Sequence, residues 1–342
     1  MSGSSVPSIL AAEAASLLHG RYGITGRLST LAGEKDHNFR VTTDEGERFV
    51  LKISHPDEQM EAVRFQREAL THMGAVDPGL FIPAVIRAAD GAYELRVEVN
   101  DGSARIMRLL SFLEGTILHE SAASPTQDRA LGAFLARVGL ALRDFVQPDP
   151  RTDHMWDLQR LPNTRALIGH IAASDLRSRV ELVYDDFERH VSGVLPTLRT
   201  QAVHNDMNPY NVLVEPRDPC AVSGIIDFGD MAHAPLTCDA AIGAAYRWSS
   251  DEHPLAGAAR FLQGYGQTRA LLESELDIML DLIRGRLAMT INVANYQALN
   301  EPDNRDYALR LQSELTRALE RLALVPREDG RRLLRKAVED RP

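Results

Sequence analysis

"AVHNDMNPYNVLVE" spans Ala202–Glu215 and is followed, after a turn, by "VSGIIDFGD" at 222–230. The first stretch sets His204, Asp206 and several asparagines between two apolar runs. A buried polar group left without a partner costs roughly 1–3 kcal/mol. Such a stretch is either a solvated turn or chemistry held between core strands. The runs "NVLVE" and "VSGIID" read as two short strands, joined by a turn containing Pro216 and Pro219. Asp206 and Asn211 precede the first strand, and Asp227 ends the second. A hairpin would gather these two carboxylates and one carboxamide in one cleft. Oxygen ligands of this kind suit a hard cation such as Mg²⁺, which keeps waters and bridges phosphates.

Working outward, residues 23–53 read as strands, with "HNFRVTT" and "RFVLKI" joined by "DEGE" as a hairpin. "HPDEQMEAVRFQREALTHMG" carries helical spacing, with Asp57 as its cap and Gly74 as its close. "FIPAVIRA", "AYELRVEVN" and "ARIMRLLSFLEG" follow as strands, separated by DG turns at 90–91 and 101–102. This predicts about five antiparallel strands with one helix between the third and fourth. From residue 119 the pattern turns helical, at about 125–146, 175–195, 254–267, 273–299 and 304–324. The expected architecture is α+β. A small β-rich lobe covers 1–110, a hinge 111–115, and a larger helical lobe 116–342. The first twenty residues read as a short helix capped by Ser8 and closed by Gly20 rather than a signal peptide.

The chain has 342 residues and a net charge of −10, with no long basic run, which argues against a nucleic-acid polymer as partner. No apolar stretch approaches the eighteen residues of a membrane span. Cys220 and Cys238 form no CxxC and suggest buried thiols in a reducing cytoplasm. Only Lys35, Lys52 and Lys336 are lysines among 38 basic residues. A compact ammonium is not interchangeable with a guanidinium, which draws attention to each of the three.

The pattern H-x-D-x-x-x-x-N, then a strand, a turn, a strand and I-D-F-G resembles the catalytic and metal loops of the protein-kinase-like fold. The closer likeness is to its small-molecule branch, the aminoglycoside phosphotransferase and choline kinase-like family. Within that branch it looks most like the hydroxylysine kinase-type enzymes. The resemblance runs from "LAGEKDHNFRV" to "EPDNRDYAL", most of the chain. It implies a two-lobed kinase that moves the γ-phosphoryl of ATP or GTP to a hydroxyl of a small amino alcohol or hydroxylated amino acid. Asp206 would orient the acceptor hydroxyl or take its proton, and Asn211 and Asp227 would hold Mg²⁺. Lys52 in "FVLKI" would contact the α/β-phosphates and pair with Glu68, preferred over Glu61. Ser111 and Leu113 in "LSFLEG" would meet the purine base. Ser29, Lys35 and Asn38 are candidates for the phosphate loop.

Two departures narrow the acceptor. Asn205 stands where protein kinases carry an arginine, and Asp239 follows Asp227 by only twelve positions, which leaves little room for a peptide-docking segment. A Ser/Thr protein kinase and an antibiotic phosphotransferase remain the alternatives. Asp230, Trp156 and Asp157 are candidates for binding a cationic acceptor; for the last two the equal alternative is an aromatic packed between helices with a capping aspartate. Asp239 is read as a helix cap or a tie for the loop.

Overall fold

The computed structural model describes residues 9–148, 154–248 and 252–340, so the Ser8 cap lies outside the described residues. The chain divides into two compact units, Met1–Glu114 and Gly115–Pro342.

The first unit opens with helix α1 (Ala11–Tyr22) and continues with strands β1 (Arg27–Leu31), β2 (His37–Thr42) and β3 (Arg48–Ile53). Helix α2 (Met60–Val76) precedes β4 (Val85–Ile86), β5 (Leu95–Glu98) and β6 (Ala104–Ser111). The sheet runs β1-β2-β3-β6-β4, with β5 also paired to β6, and every pairing is antiparallel. Strand alternation gives it one apolar face. Phe39, Val41, Leu51, Ile53, Met107 and Leu109 form a core with Ala14, Leu18 and Tyr22 of α1. Three helix ends differ from expectation. Gly20 and Gly74 lie inside their helices, because a glycine closes a helix where its backbone turns left-handed. Gly23 does so, at φ 67°, and donates to His19 O. At the start of α2, Gln59 occupies the cap position, and the Asp57 N–H bonds His55 Nδ1 in the preceding turn.

In the second unit, β7 (Thr116–Ile117) pairs with β9 (Val212–Glu215), which pairs with β10 (Asp218–Ile225). The expected hairpin is therefore formed, with Val212 opposite Ile225. A second small ladder, absent from the sequence reading, joins β8 (Thr200–Val203) to β11 (Ala232–Pro235). These two ladders carry the polar loops at their ends. The helices are α3 (Pro125–Ala141), α4 (Ser174–His190), α5 (Leu236–Ala245), α6 (Ala256–Thr268), α7 (Glu273–Leu276), α8 (Met279–Asn300), α9 (Arg305–Ala308), α10 (Gln312–Ala323) and α11 (Arg327–Glu339). Ser124 caps α3 by accepting the Gln127 N–H, with Pro125 at the first helical position. The pattern expected at 273–299 breaks at Asp277–Ile278, and that at 304–324 breaks between α9 and α10. Helices α3 and α6 cross closely, since a Cβ on Gly132 would overlap Phe261 O and one on Gly264 would overlap Arg129 O. Among the described residues, no helix is long and apolar enough to cross a membrane.

Candidate active site

In the first unit, register places Leu31 opposite Asn38, Asn38 opposite Lys52, and Lys52 opposite Arg108. Ser29, two residues before Leu31, lies on that same sheet face, opposite the apolar core. Ser29, Asn38 and Lys52 thus share one face through strand pairing alone. The loop before β2 folds tightly over Asn38, as a Cβ on Gly33 would sit 2.5 Å from Asn38 Nδ2. Lys35 is exposed in that loop. Lys52 is buried, its Nζ 3.7 Å from Asp36 Oδ2. This corrects the expected pairing with Glu68, whose Oε1 instead accepts from Arg67 NH2 at 2.8 Å. The inward face of α2 is set by Ala62, Val63, Gln66, Ala69 and Met73, which leaves Glu68 at its half-exposed edge. Asp36 was missed because it sits in an irregular loop without periodicity. Ser111 ends β6, and its hydroxyl accepts the Ala84 N–H at 2.9 Å; Leu113 follows it, half-buried.

In the second unit, the loop after β8 is built from its own side chains. His204 is fully buried; its Nδ1 accepts the Asp206 N–H at 3.2 Å and its Nε2 lies 3.1 Å from Ile226 O. This pair of contacts sets the neutral tautomer with hydrogen on Nε2 and ties the loop to the end of β10. Asn205 takes a left-handed backbone, φ 65°, which asparagine tolerates better than most residues. Its N–H bonds Asp239 Oδ1 at 2.8 Å, and its Nδ2 reaches Asp230 O at 3.0 Å and Trp156 O at 3.3 Å. Asp239 therefore ties the loop down from the first turn of α5, and burial pushes its carboxyl above the usual carboxylate range.

Asp206 is gripped at both oxygens. Oδ2 accepts from Asn211 Nδ2 at 2.6 Å and Asn208 Nδ2 at 2.7 Å, and Oδ1 accepts from Arg286 NH2 at 2.6 Å. Its carboxyl is raised above the ordinary value by burial, with Arg286 opposing the rise and Asp230 and Asp227 adding to it. Arg286, from the middle of α8, was missed because no motif surrounds it. Burial disfavours its charge, yet Tyr246, Asp206 and Asp230 more than offset this and raise its pKa.

Asp227 is exposed, at φ 59°, with Oδ1 accepting the Gly229 N–H at 3.3 Å. The Nδ2 of Asn211 is engaged by the carboxylate and the backbone carbonyl of Asp206, so Oδ1 is the atom with which Asn211 could hold a cation. Among the described residues, no three His, Cys, Asp or Glu side chains gather to cage a metal. The donor set fits a cation that completes its shell with water and phosphate oxygens.

Asp230 Oδ1 lies 3.1 Å from His154 Nε2, and His154 Nδ1 accepts the Trp156 N–H at 3.2 Å. Trp156 is half-buried with its ring 5.6 Å from the Arg286 guanidinium. Asp157 takes the capping alternative. It is buried and caps the following 3-10 turn through the Gln159 N–H, with Gln159 Nε2 and Arg160 Nε on its other oxygen.

Residues 28–273 match the family model described as a phosphotransferase enzyme family. Hydroxylysine kinase of Mus musculus is 26% identical over 329 residues, covering 90% of this chain and 87% of that protein. The solved structure of a microcompartment-associated aminopropanol kinase superposes with a TM-score of 0.72 at 18% identity, over 93% of this chain and 98% of that one. That of an amicoumacin kinase, in complex with AMP-PNP, Ca²⁺ and Ami, gives 0.67 at 17% identity, over 89% and 91%. The fold is protein-kinase-like, α+β with a small antiparallel sheet ahead of a larger helical part.

Proposed function

Since the chain belongs to the phosphotransferase enzyme family, we propose that it moves the γ-phosphoryl group of ATP or GTP to a hydroxyl of a small, positively charged acceptor. A hydroxylated amino acid such as hydroxylysine, or an amino alcohol, is the class that fits. The observation that carries this reading is the charge of the site. Asp206, Asp227 and Asp230 lie close enough to influence one another, and Arg286 is the cation set against them. The excess of negative charge suits a divalent cation and an ammonium group together.

The chemistry follows from the grip on Asp206. A carboxylate offers about four lone-pair positions, and three are filled. The fourth, on Oδ1, accepts the acceptor's hydroxyl hydrogen. The hydroxyl oxygen forms a bond to the γ-phosphorus, the bond to the bridging oxygen breaks, and the nucleoside diphosphate departs. The hydroxyl proton passes to Asp206. Positioning and electrostatics dominate such transfers. Mg²⁺ held by Asn211 Oδ1 and Asp227 would supply charge neutralisation on the phosphates. Lys52, with Ser29 and Asn38 on its sheet face, meets the phosphates, and the backbone around Ser111 and Leu113 receives the base. His154 Nε2, 3.1 Å from Asp230 Oδ1, orients that carboxylate to hold an ammonium group beside Trp156. Two relatives support the acceptor class, one named for hydroxylysine and one for aminopropanol.

The test is nucleotide consumption with ATP and GTP against hydroxylysine, homoserine, ethanolamine, choline, serine, an aminoglycoside and a peptide mix. Turnover on one amine that vanishes in Asp206→Ala is the expected result. Turnover on peptide alone, or an Asp206→Ala rate equal to wild type, defeats the reading.

A further inference from the structure

We infer that Arg286 is a positioning residue that fixes the plane of the Asp206 carboxylate. The inference rests on the reading of Asp206 as the group that meets the acceptor hydroxyl. Both amides on Oδ2 come from the same loop as Asp206 itself. A carboxylate held at one oxygen still pivots about that anchor. Holding Oδ1 as well fixes the plane and aims the remaining lone pair. Arg286 supplies that second anchor from α8, eighty residues further along the chain.

The guanidinium is itself immobilised. Its residue is 2% exposed. Nε donates to Tyr246 OH at 3.1 Å and NH1 to Trp156 O at 3.4 Å. Tyr246 OH lies 3.3 Å from Thr290 Oγ1, which donates to Arg286 O at 2.9 Å. The rings of Trp156 and Tyr246 lie 5.6 and 5.8 Å from the guanidinium carbon. Each of the three nitrogens therefore has its own acceptor. Only a planar fork reaches all three at once, and an ammonium cannot. The structure uses arginine here as a bracket between three segments, with Asp206 at its working end.

The experiment compares Arg286→Ala, Arg286→Lys and Tyr246→Phe with wild type, measuring kcat, acceptor KM and nucleotide affinity, with crystal structures of the variants. Arg286→Ala should lower kcat about 100-fold, the effect of an approximately 1 Å misplacement of a reacting group, with nucleotide affinity and acceptor KM changed less than about threefold. Arg286→Lys should recover part of that loss, and millimolar guanidinium should restore activity to the alanine variant. Tyr246→Phe keeps the charge, removes one anchor, and should cost several-fold in kcat alone. Arg286→Ala with kcat within threefold of wild type overturns the inference and leaves the kinase reading intact. So does loss of kcat, KM and nucleotide affinity together with no rescue, which marks a purely structural arginine. Should wild type phosphorylate nothing in the panel, the kinase reading falls separately. The variant structures then decide the inference: an Asp206 carboxylate plane unmoved in Arg286→Lys and Arg286→Ala refutes it, and a rotated plane supports it.

Discussion

Removing the Asp206 carboxylate strands two donors at once, Arg286 NH2 and Asn208 Nδ2, and leaves Asn211 Nδ2 with only the backbone carbonyl of residue 206. The largest penalty belongs to the guanidinium, because its side chain is 3% exposed and keeps its charge. Breaking one side of a buried pair costs about 3–5 kcal/mol, most of it from the uncompensated charge left behind. The Asp206 side chain is 13% exposed, so water reaches the vacated place, and Asp206→Ala should cost about 3 kcal/mol. Arg286→Met leaves Asp206 with two amides and partial solvent, and should cost about 2–3 kcal/mol on the same reasoning. In the double variant neither charge is stranded. Its loss should fall well short of the sum, with a coupling of about 2–3 kcal/mol. Urea unfolding of the four proteins, at matched denaturant slopes, reads this directly. Additivity within about 0.5 kcal/mol would refute the claim that the pair is a coupled, desolvated unit. The charge argument for the site would then need rebuilding.

Asp227→Ala should abolish the Mg²⁺ dependence of nucleotide affinity measured by calorimetry; unchanged affinity would place the cation elsewhere. Asp230→Asn should raise the acceptor KM about tenfold while leaving nucleotide affinity unaltered, since one charged hydrogen bond of about 1.5–3 kcal/mol is weakened. The same variant has a pH signature. Asp206 must be ionised, so kcat is lost as pH falls through its raised pKa, above the ordinary carboxylate range. Removing the negative charge of Asp230 lowers that pKa, and the acid limb should shift to lower pH; a shift upward would contradict the assigned electrostatics. Gly264→Ala should destabilise the second unit by about 1–3 kcal/mol through overpacking, because the new methyl would meet the backbone of Arg129. An unchanged melting temperature would show that α3 and α6 separate freely.

The parts legible in the sequence are those that depend on short spacings. Val212–Glu215 and Val222–Ile225 are short apolar runs joined by a turn and pair as a hairpin, so Asp206, Asn211 and Asp227 are placed by local geometry. Asn38 and Lys52 meet across two strands joined by a short turn, and their shared face follows from the period of two. Helix existence followed from the 3.6 period, whereas helix ends did not. Gly20 and Gly74 are helical and Gly23 is left-handed, a choice made by what the chain must do next. Tertiary structure alone decided which charges meet. Lys52 found Asp36 rather than Glu68, because the packing of α2 turned Glu68 to its edge. Asp157 became a cap, and Asp239 became the anchor of Asn205. Arg286 reaches Asp206 across eighty residues of chain. Spacing carries information over one turn or one hairpin. A contact between a loop and a distant helix is set by how the intervening helices pack, which no local pattern encodes.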